Sequence, residues 1–352
     1  MLREVYGRRD VPSGVPAIGI TSNTVPWELI RAAGFQPFLL SPRKTSAPFA
    51  DRYMEEVFTA RVKSIFDFLL SPDAAVLSAV IIPRTSEQEH KLYLYLREVL
   101  REGVERAPHP FLYNLLHTRS AEAQAYGLDR TRELRTQLEQ LAGRPIEREA
   151  LNAAIEEGNA AREAIRALLR LRESARPKLS GTEALALIGA WYFMDRSEYV
   201  GLAREAWSEV EGRSPLAGPR ILIKGVPLDN TDFCAVVEAH GAVVIAEDDW
   251  WGSRAAGRDI EVTADPLQAI FEHYYDAPSP RVFPAAVADE WFCRKATEVD
   301  GVIFHLPPDD DVLGWDYPRL RAFLDQRSIP HLLLRGPCAD KIASFVESLP
   351  HA

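Results

Sequence analysis

The chain has 352 residues, of which 47% are hydrophobic and 26% are charged. This composition is typical of a folded protein of about two domains and excludes a disordered chain. A formal net charge of −10 makes nucleic acid and anionic membranes unfavourable partners, because an acidic surface repels phosphate groups. Since the sequence has no run of about 18 apolar residues and no signal-peptide pattern at its start, we expect a cytoplasmic protein without a membrane segment.

The first 118 residues alternate between strand and helix patterns. Apolar runs predict four strands, at 17–22, 38–40, 79–83 and 110–113. Helical spacing lies between them, and Gly34 is placed to end the first helix. Strand, helix and strand in so short a stretch form the unit of a parallel sheet. We therefore predict an α/β lobe over residues 1–118.

The next segment, residues 119–212, has a different character. It is rich in Ala, Arg, Glu and Leu, with apolar residues at helical spacing, and this predicts a helical subdomain. A Gly- and Pro-rich linker follows, and then further strands are predicted at 221–225, 242–246, 299–305 and 329–334. We predict a second α/β lobe over residues 213–352, so that the fold contains two doubly wound parallel sheets of the Rossmann or flavodoxin type.

Neither the dinucleotide fingerprint G-x-G-x-x-G nor the P-loop pattern occurs. Cys234, Cys293 and Cys338 are too far apart in the sequence for a disulfide framework or a zinc site. Polar residues gather instead after four of the predicted strands, at 21–28, 84–87, 247–254 and 305–311. Ligands of parallel sheets bind beyond the carboxyl ends of strands, so these turns predict one cleft between the lobes.

Five segments at or near these turns form recognisable motifs: 26–34 (PWELIRAAG), 241–249 (GAVVIAEDD), 252–254 (GSR), 300–305 (DGVIFH) and 314–318 (GWDYP). In these segments the sequence resembles the 2-hydroxyacyl-CoA dehydratase D-component family, which also contains the B and C subunits of ATP-dependent benzoyl-CoA reductase. The order and spacing of the segments, which extend over most of the chain, make the resemblance specific.

The resemblance implies positions for a four-iron four-sulfur cluster, which family members hold through three cysteines, one after each of three strands. The matching positions here are Ser86, Trp250 and Asp310. A hydroxyl, an indole and a carboxylate do not replace three thiolates. We therefore expect that this chain binds no metal or other cofactor and that the cluster belongs to a partner subunit. The sequence leaves the presence of a flavin open.

Family members work as heterodimers of related subunits that receive electrons from an ATP-hydrolysing activator. The resemblance implies a cluster-free subunit that shapes an acyl-CoA thioester pocket and docks on a cluster-bearing homologue. Two alternatives stay open: a non-catalytic protein that binds CoA esters or assists assembly, and an enzyme repurposed for polar acid–base chemistry on an acyl-CoA. The acyl group, and the choice between dehydration and reduction, also stay open.

The resemblance places Glu28 and Ser22 near the acyl thioester, where Glu28 would act as a general acid or base. The helix dipole is by itself a sufficient reason for a carboxylate at this first turn. His305, at a strand end, is the second acid–base candidate. Arg254 is a candidate clamp for a CoA phosphate or a carboxylate.

Trp250 and Trp251 would fill the space of the absent cluster and contact the substrate, because each indole buries on the order of 200 Å². Packing between the lobes is an equally good explanation for both. The acidic run 309–311 has the oxygen ligands that magnesium prefers, although a solvated turn explains it as well.

Overall fold

The computed structural model describes residues 14–41, 47–84, 86–103, 106–277, 284–306, 311–336 and 338–350. The chain divides into two compact units. The β1–β4 unit comprises the described residues of 9–159 and 258–283, and the β5–β8 unit comprises those of 160–257 and 284–352. The division predicted at residues 118 and 212 stays a prediction, and the segment predicted to be helical is shared between these units.

Eight strands and thirteen α-helices lie in the described ranges. The strands are β1 (Ala17–Ile20), β2 (Gln36–Leu39), β3 (Leu77–Pro83), β4 (His109–Tyr113), β5 (Arg220–Gly225), β6 (Val243–Asp248), β7 (Gly301–His305) and β8 (His331–Leu334). The helices are α1 (Trp27–Ala32), α2 (Pro48–Tyr53), α3 (Ala60–Leu70), α4 (Glu87–Glu102), α5 (Ala121–Ala142), α6 (Arg148–Glu173), α7 (Gly181–Phe193), α8 (Arg196–Glu211), α9 (Asp232–Ala239), α10 (Pro266–Tyr275), α11 (Ala285–Ala296), α12 (Asp311–Gln326) and α13 (Ala339–Glu347).

The β1–β4 unit is built on a parallel sheet with the strand order β2-β1-β3-β4. Every residue of β1 is buried, as expected for a central strand of a parallel sheet. Gly34 follows α1 with a φ of +94°, which confirms that a glycine is needed where this helix ends. The chain runs from β1 to β2 on one side and then to β3 on the other, so the strand order reverses between β1 and β3. Such a switch point is where ligands bind in open α/β sheets.

The β5–β8 unit repeats this topology, with the strand order β6-β5-β7-β8 and all strands parallel. Its switch point lies between β5 and β7. Leu222, Val302 and Phe304 of the sheet pack with Phe292 of α11 and Leu324 of α12 in one buried apolar cluster. This cluster supports one face of the sheet beneath the carboxyl ends of its strands.

The two parallel sheets confirm the predicted fold class. Several predicted strand ends differ from the observed ones by about two residues, and one of these differences affects the site. Glu247 and Asp248, expected in a polar turn, are the last residues of β6 and are buried. Cationic partners, one of them fully buried, explain this difference and are described below. Among the described helices, none is both long enough and apolar enough to cross a bilayer.

Candidate functional site

The carboxyl end of β1 carries a buried group of polar side chains in the β1–β4 unit. Thr21 and Ser22 are buried directly after the strand. The Thr21 hydroxyl donates a hydrogen bond to Glu89 Oε1 at 3.1 Å, and the hydroxyls of Ser22 and Thr24 are 2.8 Å apart. The predicted polar turn is therefore an enclosed hydrogen-bonded layer at the switch point of this sheet.

Glu28 is fully buried in the first turn of α1. The hydroxyl of Tyr274, on α10, donates to Glu28 Oε2 at 2.8 Å, and the backbone N–H of Trp27 donates to the same hydroxyl at 2.9 Å. A buried carboxyl group with a phenol partner is suited to hold or transfer a proton. Sequence reasoning missed Tyr274, because 246 residues separate it from Glu28 and no local pattern connects them.

Ser86, the first of the positions matched to cluster cysteines, has a structural role here. Its side chain caps α4 and accepts a hydrogen bond from the backbone N–H of Glu89 at 3.1 Å. Such a cap satisfies a donor that the first helical turn leaves without an intrahelical partner.

Glu247, at the end of β6, forms a buried ion pair with Arg172 of α6. Their side chains are 1% and 0% exposed, and the guanidinium donates to both carboxylate oxygens at 2.7 and 2.9 Å. Arg172 also donates to the hydroxyl of Ser253 at 2.6 Å. A side chain at Gly252 would place its Cβ 2.6 Å from Glu247 Oε2, so the loop can approach the carboxylate only as glycine. These contacts fix the loop that follows β6.

Asp248 lies beside two cations. Lys224 Nζ donates to its Oδ2 at 2.6 Å, and Arg254 Nη1 donates to its Oδ1 at 2.9 Å. Burial alone would raise the pKa of Asp248, but the charges of Lys224 and Arg254 hold this pKa below its usual value. Asp248 is therefore ionised, and the predicted clamp residue Arg254 already contacts a carboxylate of its own unit.

Asp249 accepts hydrogen bonds from the backbone N–H groups of Leu228 and Gly252. Burial, and then the negative charge of Glu247, raise the pKa of Asp249 to about 7 despite these hydrogen bonds. Its charge therefore changes near neutral pH.

Trp250 and Trp251 belong to an aromatic cluster with Tyr192 of α7. The Tyr192 ring lies 4.5 Å from that of Trp251, and the two indoles are 5.8 Å apart. The Tyr192 hydroxyl donates to the carbonyl oxygen of Trp250 at 2.9 Å. Trp251 has no exposed surface, whereas Trp250 is partly exposed. Aromatic packing therefore occupies the second position matched to a cluster cysteine.

His305 ends β7, and its ring stacks on Phe233 of α9 with the centroids 4.3 Å apart. Burial lowers the pKa of His305, so the ring is neutral at neutral pH. Its Nδ1 is buried and finds no hydrogen-bond partner in the part of the chain that the structure describes. A neutral imidazole can accept a proton, which keeps His305 a candidate base.

The predicted site residues fall into both units. Glu28 and Ser22 belong to the β1–β4 unit. The β5–β8 unit contains the others: His305, Arg254, Trp250 and Trp251. Asp310, with most of the acidic run 309–311, lies outside the described residues.

The described side chains do not fit an iron–sulfur cluster. The three cysteines are separate and free, with Cys234 on α9, Cys293 on α11 and Cys338 just before α13. Burial, and then the charge of Glu247, raise the pKa of the Cys234 thiol well above its usual value, which disfavours the thiolate that iron requires. Within the described ranges, no group of three His, Cys, Asp or Glu side chains is placed to hold a metal ion.

Comparisons with known proteins match this chain over nearly its whole length. A model of the family described as 2-hydroxyglutaryl-CoA dehydratase, D-component, matches residues 23–349. The (R)-phenyllactyl-CoA dehydratase beta subunit of Clostridium sporogenes is 22% identical over 334 residues, which cover 92% of this chain and 86% of that protein. The (R)-2-hydroxyglutaryl-CoA dehydratase subunit beta of Acidaminococcus fermentans is 21% identical over 355 residues, covering 96% and 93%.

Proposed function

The chain belongs to the 2-hydroxyglutaryl-CoA dehydratase D-component family, and from this we propose that it is a cluster-free subunit of a 2-hydroxyacyl-CoA dehydratase or a related acyl-CoA reductase. In this role it shapes an acyl-CoA thioester pocket and docks on a homologous subunit that carries the iron–sulfur cluster. Two relatives are named as beta subunits of dehydratases, which supports a partner subunit.

One observation carries the cluster-free part of the proposal. At the position matched to a cluster cysteine after β6, the chain has Trp250, which packs with Trp251 and Tyr192. An indole has no lone pair to offer iron, and the packed rings fill volume with apolar surface. Ser86 supports the same conclusion, because its hydroxyl caps α4. The aromatic cluster then acts as packing that shapes the pocket, with Trp251 supporting Trp250 from inside.

Glu28 is the acid–base group of the proposed pocket. Loss of water from a 2-hydroxyacyl group needs one proton for the leaving hydroxyl and removes another from the neighbouring carbon. A buried carboxyl group that accepts a hydrogen bond from Tyr274 can transfer such a proton, and Ser22 is buried directly after β1 in the same unit. His305 is the second acid–base candidate, and Arg254 is the candidate clamp for an anionic part of the ligand.

The electrons for the reaction come from outside this chain. A family complex receives them from an ATP-hydrolysing activator, and the cluster of the partner subunit accepts them. This chain then contributes binding and proton transfer.

The proposal is tested by anaerobic reconstitution with iron and sulfide, followed by assays with and without a cluster-bearing homologue, activator, reductant and ATP. We expect no stoichiometric iron on this chain and turnover of 2-hydroxyacyl-CoA only in the complete mixture. About four irons per chain would contradict the cluster-free role. Turnover by this chain alone in air would favour a repurposed acid–base enzyme, and binding without turnover in any mixture would favour an assembly protein.

The role of Glu28 is tested with Glu28→Gln in the complete mixture. We expect kcat to fall by about 100-fold or more while KM for the acyl-CoA changes little, because general acid–base catalysis contributes roughly 10²–10⁴-fold. Glu157→Gln is the matched control. Glu157, on α6, is partly exposed and pairs with Arg31, which lies on the same helix as Glu28. Equal activity of the two variants would exclude Glu28 from the chemistry.

A further inference from the structure

Lys224 and Arg254 share a single carboxylate at the carboxyl edge of the β5–β8 sheet. Asp248, between them, is 1% exposed, whereas the side chains of Lys224 and Arg254 are 15% and 21% exposed. Lys224 lies opposite Asp248 of β6 and opposite Phe304 of β7. The pair therefore sits at the end of the central strand β5, beside the switch point where ligands of such sheets bind.

Lys224 and Arg254 share one carboxylate partner within the described residues. Glu247 pairs with Arg172, so Asp248 is the carboxylate that pairs with both Lys224 and Arg254. One carboxylate supplies one negative charge to two cations, and both cations are largely removed from solvent. A bound anion would supply a second negative charge to this group.

Both cations also keep hydrogen-bond donors for a ligand. An ammonium has three N–H groups and a guanidinium has five, yet within the described residues each side chain makes one hydrogen bond, to Asp248. The guanidinium of Arg254 lies 5.5 Å from the centre of the Trp291 ring, which helps to fix its position. Two cations close enough to bridge one carboxylate can bridge a second oxyanion from the solvent side.

We propose that Lys224 and Arg254 form a binding site for a phosphate group, beside the Asp248 carboxylate that both cations contact. A phosphate offers three oxygens and a charge near −2, which match an arginine fork and an ammonium together. The ligand is a phosphate group of a coenzyme A thioester, and this identification rests on the function proposed above. Lys224 thereby gains a role that the sequence motifs did not indicate.

The test is calorimetric titration of the full chain with four probes: coenzyme A, dephospho-coenzyme A, pantetheine and inorganic pyrophosphate. Lys224→Gln and Arg254→Gln should each raise the Kd for coenzyme A by about 10-fold or more, since each removes a charge-assisted hydrogen bond. Pantetheine has no phosphate, so its binding should not change between these proteins. Dephospho-coenzyme A, which lacks only the ribose phosphate, shows which phosphate of coenzyme A is bound.

Arg220→Gln is the matched control, because Arg220 begins the same strand at its opposite end and pairs with Asp300. This variant should bind coenzyme A like the unaltered protein. Asp248→Asn tests whether Lys224 and Arg254 bind the ligand or serve only as ion-pair partners of Asp248. It removes the competing carboxylate and leaves both cations, so coenzyme A should bind at least as tightly as before. Weaker binding by Asp248→Asn would overturn the proposed site.

The remaining outcomes distinguish failure of the phosphate site from failure of the proposed function. Unchanged affinity for coenzyme A in Lys224→Gln and Arg254→Gln overturns the site and leaves the proposed function standing. If only pyrophosphate binds, and both variants weaken it, the phosphate site stands and the proposed acyl-CoA function fails. Failure of all four probes to bind overturns the site.

Discussion

Replacing Arg172 by methionine tests the buried ion pair that ends β6. The variant keeps a long apolar side chain but leaves Glu247, 1% exposed, without its cation. Removing one partner of a buried pair costs about 3–5 kcal/mol, because the remaining charge stays desolvated. At about 2–4 °C of Tm per kcal/mol for a unit of this size, Tm should fall by roughly 6 °C or more.

Denaturant unfolding followed by tryptophan fluorescence measures this free energy. Six of the seven tryptophans lie in the β5–β8 unit, so the signal reports mainly on the unit that contains the pair. Arg213→Met is the control, because Arg213 forms a partly exposed pair with Glu183, and such pairs contribute about 0–1 kcal/mol.

The double variant Arg172→Met/Glu247→Leu completes the test. Replacing both charges by apolar groups of similar volume is often neutral, so it should recover more than half of the lost free energy of unfolding. If Arg172→Met alone lies within about 1 kcal/mol of the unaltered protein, the pair does not stabilise this loop and the reasoning from its burial is wrong.

Three further predictions concern stability. Tyr274→Phe should lower the free energy of unfolding by about 1–3 kcal/mol, since it removes the hydroxyl that contacts the buried Glu28 and the N–H of Trp27. Tyr126→Phe is the control and should cost less, because the hydroxyl of Tyr126 accepts a partly buried hydrogen bond from Asn114. The pKa of Asp249 is about 7 in the folded protein and about 3.9 in the unfolded chain, so its contribution to stability should decrease from about pH 4 to pH 7 and then level off. Asp249→Asn should remove that slope from unfolding curves measured across pH, and an unchanged slope would assign it to other groups. Ser86→Ala should cost about 1 kcal/mol as a lost helix cap without changing iron content after reconstitution, whereas a change in bound iron would make Ser86 a ligand.

The sequence by itself determined the alternation of strands and helices, the two parallel sheets and the family. These features depend on local information: a buried strand needs a short apolar run, and Gly34 marks a helix end because of its own φ. The motif segments also indicated which strand ends carry polar residues. The apolar run that predicts β6 ends at Ala246, so the pattern placed Glu247 and Asp248 in the turn that follows.

Only the tertiary structure decided that these carboxylates are buried, since their partners come from elsewhere in the chain. Arg172 lies 75 residues before Glu247, and Lys224 lies 24 residues before Asp248 on a neighbouring strand. Likewise, Tyr274 reaches Glu28 from a helix near the other end of its unit's sequence. Local periodicity carries no information about such distant pairs, because packing and desolvation select them when the chain folds.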